Sequence, residues 1–178
     1  MKKLAKLTAL LLTGVMLLLL ASCGAAPNPG VPGGSSGLTE AEAKAKREII
    51  KAINEERQKV RMSSLQEVTA LTQLEQEFIE HFREAGTNGI PVSEADQLQK
   101  ELVNKQKEAG WKLEMGIYYD GLNSAKLVNV YEGDTEAFRS QLKFVRLIDD
   151  DPSIALSVGV VTIEGKIYWT VSILEPRT

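Results

Sequence analysis

A single cysteine and a single histidine stand in this 178-residue chain, and each scarcity excludes a kind of chemistry. One thiol cannot close an internal disulfide or complete a multi-cysteine zinc site, so stability has to come from packing. One imidazole cannot furnish the several ligands that a catalytic metal usually takes. Positive charge is also in short supply. With 21 basic against 24 acidic residues the net charge is −3, which gives no electrostatic reason to expect nucleic acid. Phosphate-binding glycine loops, dinucleotide glycine patterns and a Gly-Ser-Gly nucleophile elbow are absent, so no base-activated serine has a visible partner set. Apolar residues, by contrast, make up 43% of the chain, enough to bury the core of one ordinary domain.

The long apolar run is N-terminal. Lys2, Lys3 and Lys6 precede Leu7–Leu20, which is almost purely apolar, and Leu20-Ala21-Ser22-Cys23 follows at once. The run sits just short of the length that spans a bilayer; small residues leading into a cysteine favour a cleaved signal over a retained helix. The tetrapeptide resembles the bacterial lipobox. That resemblance implies a signal peptide over residues 1–22 and cleavage before Cys23. It also implies a diacylglycerol on the Cys23 sulfur and an N-acyl chain on the new terminus, with no other cofactor. At about 0.8 kcal/mol per buried methylene, two or three acyl chains anchor a protein stably without a spanning helix. The expected address is the outer face of a bacterial cell membrane.

Residues 23–37 follow as a tether, because "GAAPNPGVPGGSSG" is too poor in large apolar side chains to repay the entropy of ordering it. Without Lys2, Lys3 and Lys6 the chain carries 18 basic and 24 acidic residues, a net charge of −6. Such a domain is repelled by an anionic membrane surface.

The folded part is expected over residues 38–178. Thr39-Glu40-Ala41-Glu42 reads as a capping box, and Ala45, Ile49, Ile53 and Val60 keep roughly helical spacing. A second helix is predicted over Leu65–Ala85 from Val68, Leu71, Leu74, Phe78 and Phe82, with Gly86 as its stop. Ser93 looks like the cap of a third helix ending near Gly110. "LEMGIYY" and "KLVNVY" read as strands paired through the turn-rich "DGLNSA". Asp134 is the expected cap of a fourth helix carrying Phe138, Leu142, Val145 and Ile148, and "DDDP" breaks it. "IALSVGVVTI" and "KIYWTVSIL" flank Glu164-Gly165 as a hairpin, with Ile167, Trp169, Val171 and Ile173 on one face. Helices and antiparallel strands segregated in this way predict an α+β layered domain with four helices and a C-terminal hairpin.

"IIKAINEERQKVRMSSLQEVTALTQLEQEFIEHFREAG" resembles the opening of the CAP superfamily of secreted proteins. Asn54, Arg57, Leu65, Leu74 and His81 match its order of asparagine, arginine, leucines and histidine. "LSVGVVTIEGKIYWTVSIL" is similar to its closing hairpin. The resemblance implies an α-β-α sandwich around an antiparallel sheet and a cleft that, in some members, holds a divalent metal with two histidines and two acidic residues. Only the first histidine has a candidate, His81. The second falls on Phe144, and the family's Gly-Glu-Asn-Ile strand carries over only as Glu114.

His81 by itself reads as a half-buried structural side chain at the border of the apolar stripe; facing Glu114, it would form a small polar cleft or an incomplete metal site. Asp149, Asp150 and Asp151 lack the alternate spacing, glycine and distal glutamate of a calcium loop and read as a solvated helix end. Tyr118, Tyr119, Tyr131, Tyr168 and Trp169 mostly pack, an exposed minority being available for a glycan or protein contact. Three functions stay open: a non-catalytic CAP-like module that binds a cell-wall component, an extracellular protein or an apolar ligand; a metal-dependent hydrolase using His81 and Glu114, with Asp149 or Asp151; and a structural lipoprotein without a site. The first is favoured, because a hydrolase must preorganise several groups around the reacting atom.

Overall fold

Thr39 opens the first helix, α1 (Glu40–Gln58), through the reciprocal cap its sequence predicts. Its hydroxyl accepts from the Glu42 amide at 3.2 Å, and Glu42 Oε2 accepts from the Thr39 amide at 2.9 Å. The computed structural model describes residues 37–119 and 123–177; the apolar run, Cys23 and the tether up to Ser36 lie outside the described residues. Ala45, Ile49, Ala52 and Ile53 are the buried apolar stripe of α1. The helix ends in a Schellman pattern, Met62 N–H donating to Arg57 O and Arg61 N–H to Gln58 O. Arg61 takes the left-handed conformation (φ 63°) that glycine usually fills.

The second helix begins later than its apolar spacing predicts. Gln66–Glu67 form a short strand, β1, parallel to Ala155 and Leu156, and α2 runs over Thr69–Ala85. Tertiary contacts override helix propensity here. Asn54 grips both backbone groups of Leu65, accepting from its amide at 2.8 Å and donating to its carbonyl at 3.1 Å. The third helix, α3 (Val92–Glu108), starts at Pro91 and not at Ser93, because proline presets the first-turn φ and its carbonyl accepts from the Glu94 and Ala95 amides.

The two middle strands do not form the predicted hairpin. β2 (Trp111–Ile117) and β3 (Val130–Tyr131) lie one after the other along the same edge of β5 (Lys166–Pro176), both antiparallel to it. The other edge of that eleven-residue strand is taken by β4 (Ala155–Ile163). The β4–β5 turn is the predicted Glu164-Gly165 pair, both residues at positive φ (48° and 77°), the geometry that matches the strand twist. The fourth helix, α4 (Glu136–Gln141), is capped by Thr135, whose hydroxyl accepts from Phe138 N–H, while Asp134 is drawn off to Arg139. It runs on as a 3-10 turn over Leu142–Leu147.

The protein is an α+β fold of four helices and five strands among the described residues, in three layers. Leu156, Val158, Val160, Trp169, Val171 and Ile173 face α1, α4 and the 3-10 turn. Val161, Ile163 and Tyr168, with Ala155 and Leu174, face α2 and α3. The sheet, in the order β1-β4-β5-β2, is antiparallel except for the two-residue parallel pairing of β1, a detail the antiparallel expectation did not include. Beyond β1 the free edge of β4 is closed by side chains. Gln76 accepts from Val160 N–H and donates to Val160 O as a strand would, and Glu42 accepts from Thr162 N–H at 2.7 Å.

Arg57, fully buried, fastens the lower layer: its guanidinium donates to the carbonyls of Ser63, Val145, Ile148 and Asp149 at 2.8–3.1 Å. Arg57→Ala strands those carbonyls without a donor and is expected to cost about 3 kcal/mol or more. The change will appear as a lower urea midpoint at unchanged m-value; a loss under about 1 kcal/mol would mean that water replaces the guanidinium.

Candidate functional site

The residues singled out by sequence are dispersed. His81 is exposed on α2, not half-buried as its place in the stripe predicts, because the inward face is formed by Leu71, Glu75, Phe78, Ile79 and Phe82. Glu114 is exposed at a β-bulge: Leu113 pairs with Leu174 and Met115 with Ile173, leaving Glu114 without a register partner. That extra residue explains a puzzle of the sequence. Trp111 and Leu113 pack on the α2 side while Met115 and Ile117 pack on the α1 side, although all four alternate. No hydrogen bond joins His81 to Glu114, and among the described residues no three His, Cys, Asp or Glu side chains converge on a metal position.

The aspartate triplet serves the backbone. Asp150 accepts from Ser63 N–H at 2.7 Å, and Asp151 accepts from the amide and hydroxyl of Ser153. The Asp149 carbonyl binds Arg57. Phe144 packs, partly buried, against the lower core. Tyr118 and Tyr119 lie beyond the end of β2, not on a strand, and stack edge-on or tilted against Phe78 and Phe82.

The side chain whose chemistry is most altered is Glu75, which sequence reasoning missed. It lies in the apolar stripe of α2, fully buried against the middle of the sheet. Ser172 Oγ donates to its Oε2 at 2.6 Å and Ser157 Oγ at 3.3 Å; these serines are register partners on β5 and β4. Tyr118 OH lies 2.5 Å from Ser172 Oγ, so the phenol donates to the serine that donates to the carboxylate. Gly116 makes room for this, since a Cβ there would stand 2.2 Å from the Tyr118 ring. Glu75 Oε1 and the neighbouring Thr170 Oγ1 are enclosed without a hydrogen-bond partner.

Burial pushes the Glu75 carboxyl up to about 7, against the pull of the Ser172 and Ser157 hydroxyls. Burial, together with the nearby Glu75 charge, holds the Tyr118 phenol well above its ordinary value, so it stays a neutral donor. Glu42 contrasts with Glu75. Its burial also raises the carboxyl, but the Thr39 and Thr162 amides and the Arg83 guanidinium outweigh it and hold Glu42 below its ordinary range. Glu75 has no such cation among the described residues. What the arrangement can do is take up or release a proton near neutral pH, inside the fold.

A readable signal did exist. Glu75 stands four residues after Leu71 and three before Phe78, in phase with the stripe, and Ser157 and Gly159 on β4 alternate with apolar residues as Thr170 and Ser172 do on β5.

The fold and this cluster thus define a three-layer α+β domain built around an enclosed carboxyl. No protein-family profile, curated protein or solved structure matches the chain.

Two substitutions check the geometry. A Cβ on Gly159 would come within 2.8 Å of the Glu75 carbonyl oxygen and 3.0 Å of Thr170 Oγ1, so Gly159→Ala should cost about 1–3 kcal/mol by thermal or urea unfolding. His81→Gln, at an exposed position, should change stability by less than about 0.5 kcal/mol in the same assay; a larger loss would give the imidazole a packing role.

Proposed function

We propose that this chain is a bacterial lipoprotein whose acylated Cys23 holds it on the outer face of the membrane, displaying residues 38–178 as a non-catalytic CAP-like binding module. One observation carries the reading: Leu20-Ala21-Ser22-Cys23 stands between a basic-then-apolar segment and a Pro/Gly/Ser tract that ends where the fold begins. The Thr39–Glu42 capping box marks that beginning, so α1 needs nothing upstream of Leu38 to start. Among the described residues no helix is long and apolar enough to cross a membrane, and the acyl chains supply the anchorage in this reading.

The CAP-like part draws support from the three-layer arrangement with its C-terminal hairpin, and from Asn54 and Arg57. These two residues of the resemblance fasten Leu65 and the 145–149 segment to α1. The dispersal of His81, Glu114, Asp149 and Asp151 favours recognition over bond cleavage. Partners of the fitting class are cell-wall components and extracellular proteins.

The test is mass analysis of the chain made in a bacterial host. The expected product starts at Cys23 and carries a diacylglyceryl group on its sulfur, and Cys23→Ala takes up no labelled palmitate. An uncleaved chain with a free Cys23 thiol would end the lipoprotein reading.

A further inference from the structure

We infer that the seat of α2 on the sheet is a proton-operated latch, closed while Glu75 is protonated and released when it ionises. The cluster itself carries this. An ionised carboxylate wants about four donors, yet the hydroxyls of Ser172 and Ser157 both fall on Oε2, and Oε1 has none. A proton on Oε1 removes the charge and gives the Oε1–Thr170 pair a further donor.

Among the described residues no cation pairs with Glu75 to neutralise the ionised form. The titratable group facing Glu75 is the neutral Tyr118 phenol at the end of β2. Ser157 faces it from β4, and Thr170 and Ser172 face it from β5. Several charged side chains of the packed elements pair with one another. Glu77 of α2 pairs with Lys105 of α3, Arg83 of α2 with Glu80 and Glu42, and Lys112 of β2 with Glu175 of β5.

The helix is seated close against the sheet. At Gly159 the α2 backbone approaches β4 so closely that a single added methyl group would collide with the Glu75 carbonyl. The carboxylate reaches solvent when α2 lifts, and there it titrates as an ordinary glutamate.

The direction follows. Burial raises the seated carboxyl from 4.5 to about 7, so the seated form binds the proton more tightly than the open one. The advantage of the seated form is complete below about pH 4.5, shrinks as pH rises, and is gone above about 7. Across that window the opening equilibrium of α2 should rise on the order of 100-fold. The latch works alike on a tethered or a free domain, so its failure would leave the lipid anchor untouched.

The experiment is amide hydrogen exchange on the full chain in detergent at pH 5 and pH 8.5, expressed as protection factors. In the unmodified protein the α2 amides around Gln76–Phe82 should lose protection on the order of 100-fold at the higher pH while α1 amides hold theirs. Glu75→Gln should flatten the response. Equal losses in α1 and α2, or the same response in Glu75→Gln, would overturn the latch. Carboxyl-carbon NMR of the unmodified protein is independent of how any variant folds: Glu75 should titrate near 7, and a midpoint near 4.5 would overturn the proposal. Ser172→Ala removes the shorter donor and should move the midpoint higher; an unmoved midpoint would count against the cluster.

Discussion

β4 and β5 are buried on both faces, and the other elements are placed by the need to cover them. The lower face is uniformly apolar, from Leu156 to Ile173, with Trp169 fully enclosed and edge-on to Phe138. It takes α1, α4 and the 3-10 turn. The upper face is mixed: Ala155, Val161, Ile163 and Leu174 surround a patch of Ser157, Gly159, Thr170 and Ser172. An apolar helix could not satisfy that patch. A helix that brings a carboxyl to the hydroxyls and bare backbone to the glycine can, and α2 is that helix.

Where buried backbone groups lie outside the sheet and helix ladders, long polar side chains act as surrogate backbone. Arg57 supplies donors to the 3-10 turn's end, Asn54 makes a two-way pair with Leu65, and Gln76 does the same for Val160 on the open edge of β4. Glu42 serves the helix start, the strand edge and Arg83 together. Each leaves its partners satisfied, which is the usual condition of buried polar groups. Glu75 departs from that condition with its orphaned Oε1, beside the point where its own backbone comes close to Gly159.

Local and periodic features could be read from the sequence because they depend on neighbours along the chain. The Thr39–Glu42 cap, the apolar faces of α1 and α2, and the Glu164-Gly165 turn are of this kind. Features set by distant partners could not. Residues 65–68 look helical in isolation and are pulled straight by Asn54; β2 and β3 look like a hairpin but each finds a better edge on β5. The bulge at Glu114 rephases an alternation that otherwise reads as one-sided. Candidate chemistry was sought in His81 and Glu114, the residue types that a family resemblance favours. The altered group was instead a glutamate inside a hydrophobic stripe, where its own spacing pointed inward.

The two helices of opposite layers are held in different ways, and this difference gives the fold a direction. α1 is fixed by Arg57, its cap and Glu42, none of which leaves a buried side-chain atom without a partner. α2 is fastened by Gln76 and Arg83 from its middle onward, and at its start by Leu71 against Ala155 and Leu174, by Val68 N–H on the Leu156 carbonyl and by Thr72 on Glu67. Glu75 lies between these two groups of contacts, and a charge appearing there acts on the stretch from Gln76 to Phe82 that seats the helix on the sheet. Motion of that stretch alters the face of the sheet that carries Ser157 and Ser172 and leaves the α1 layer as it stands.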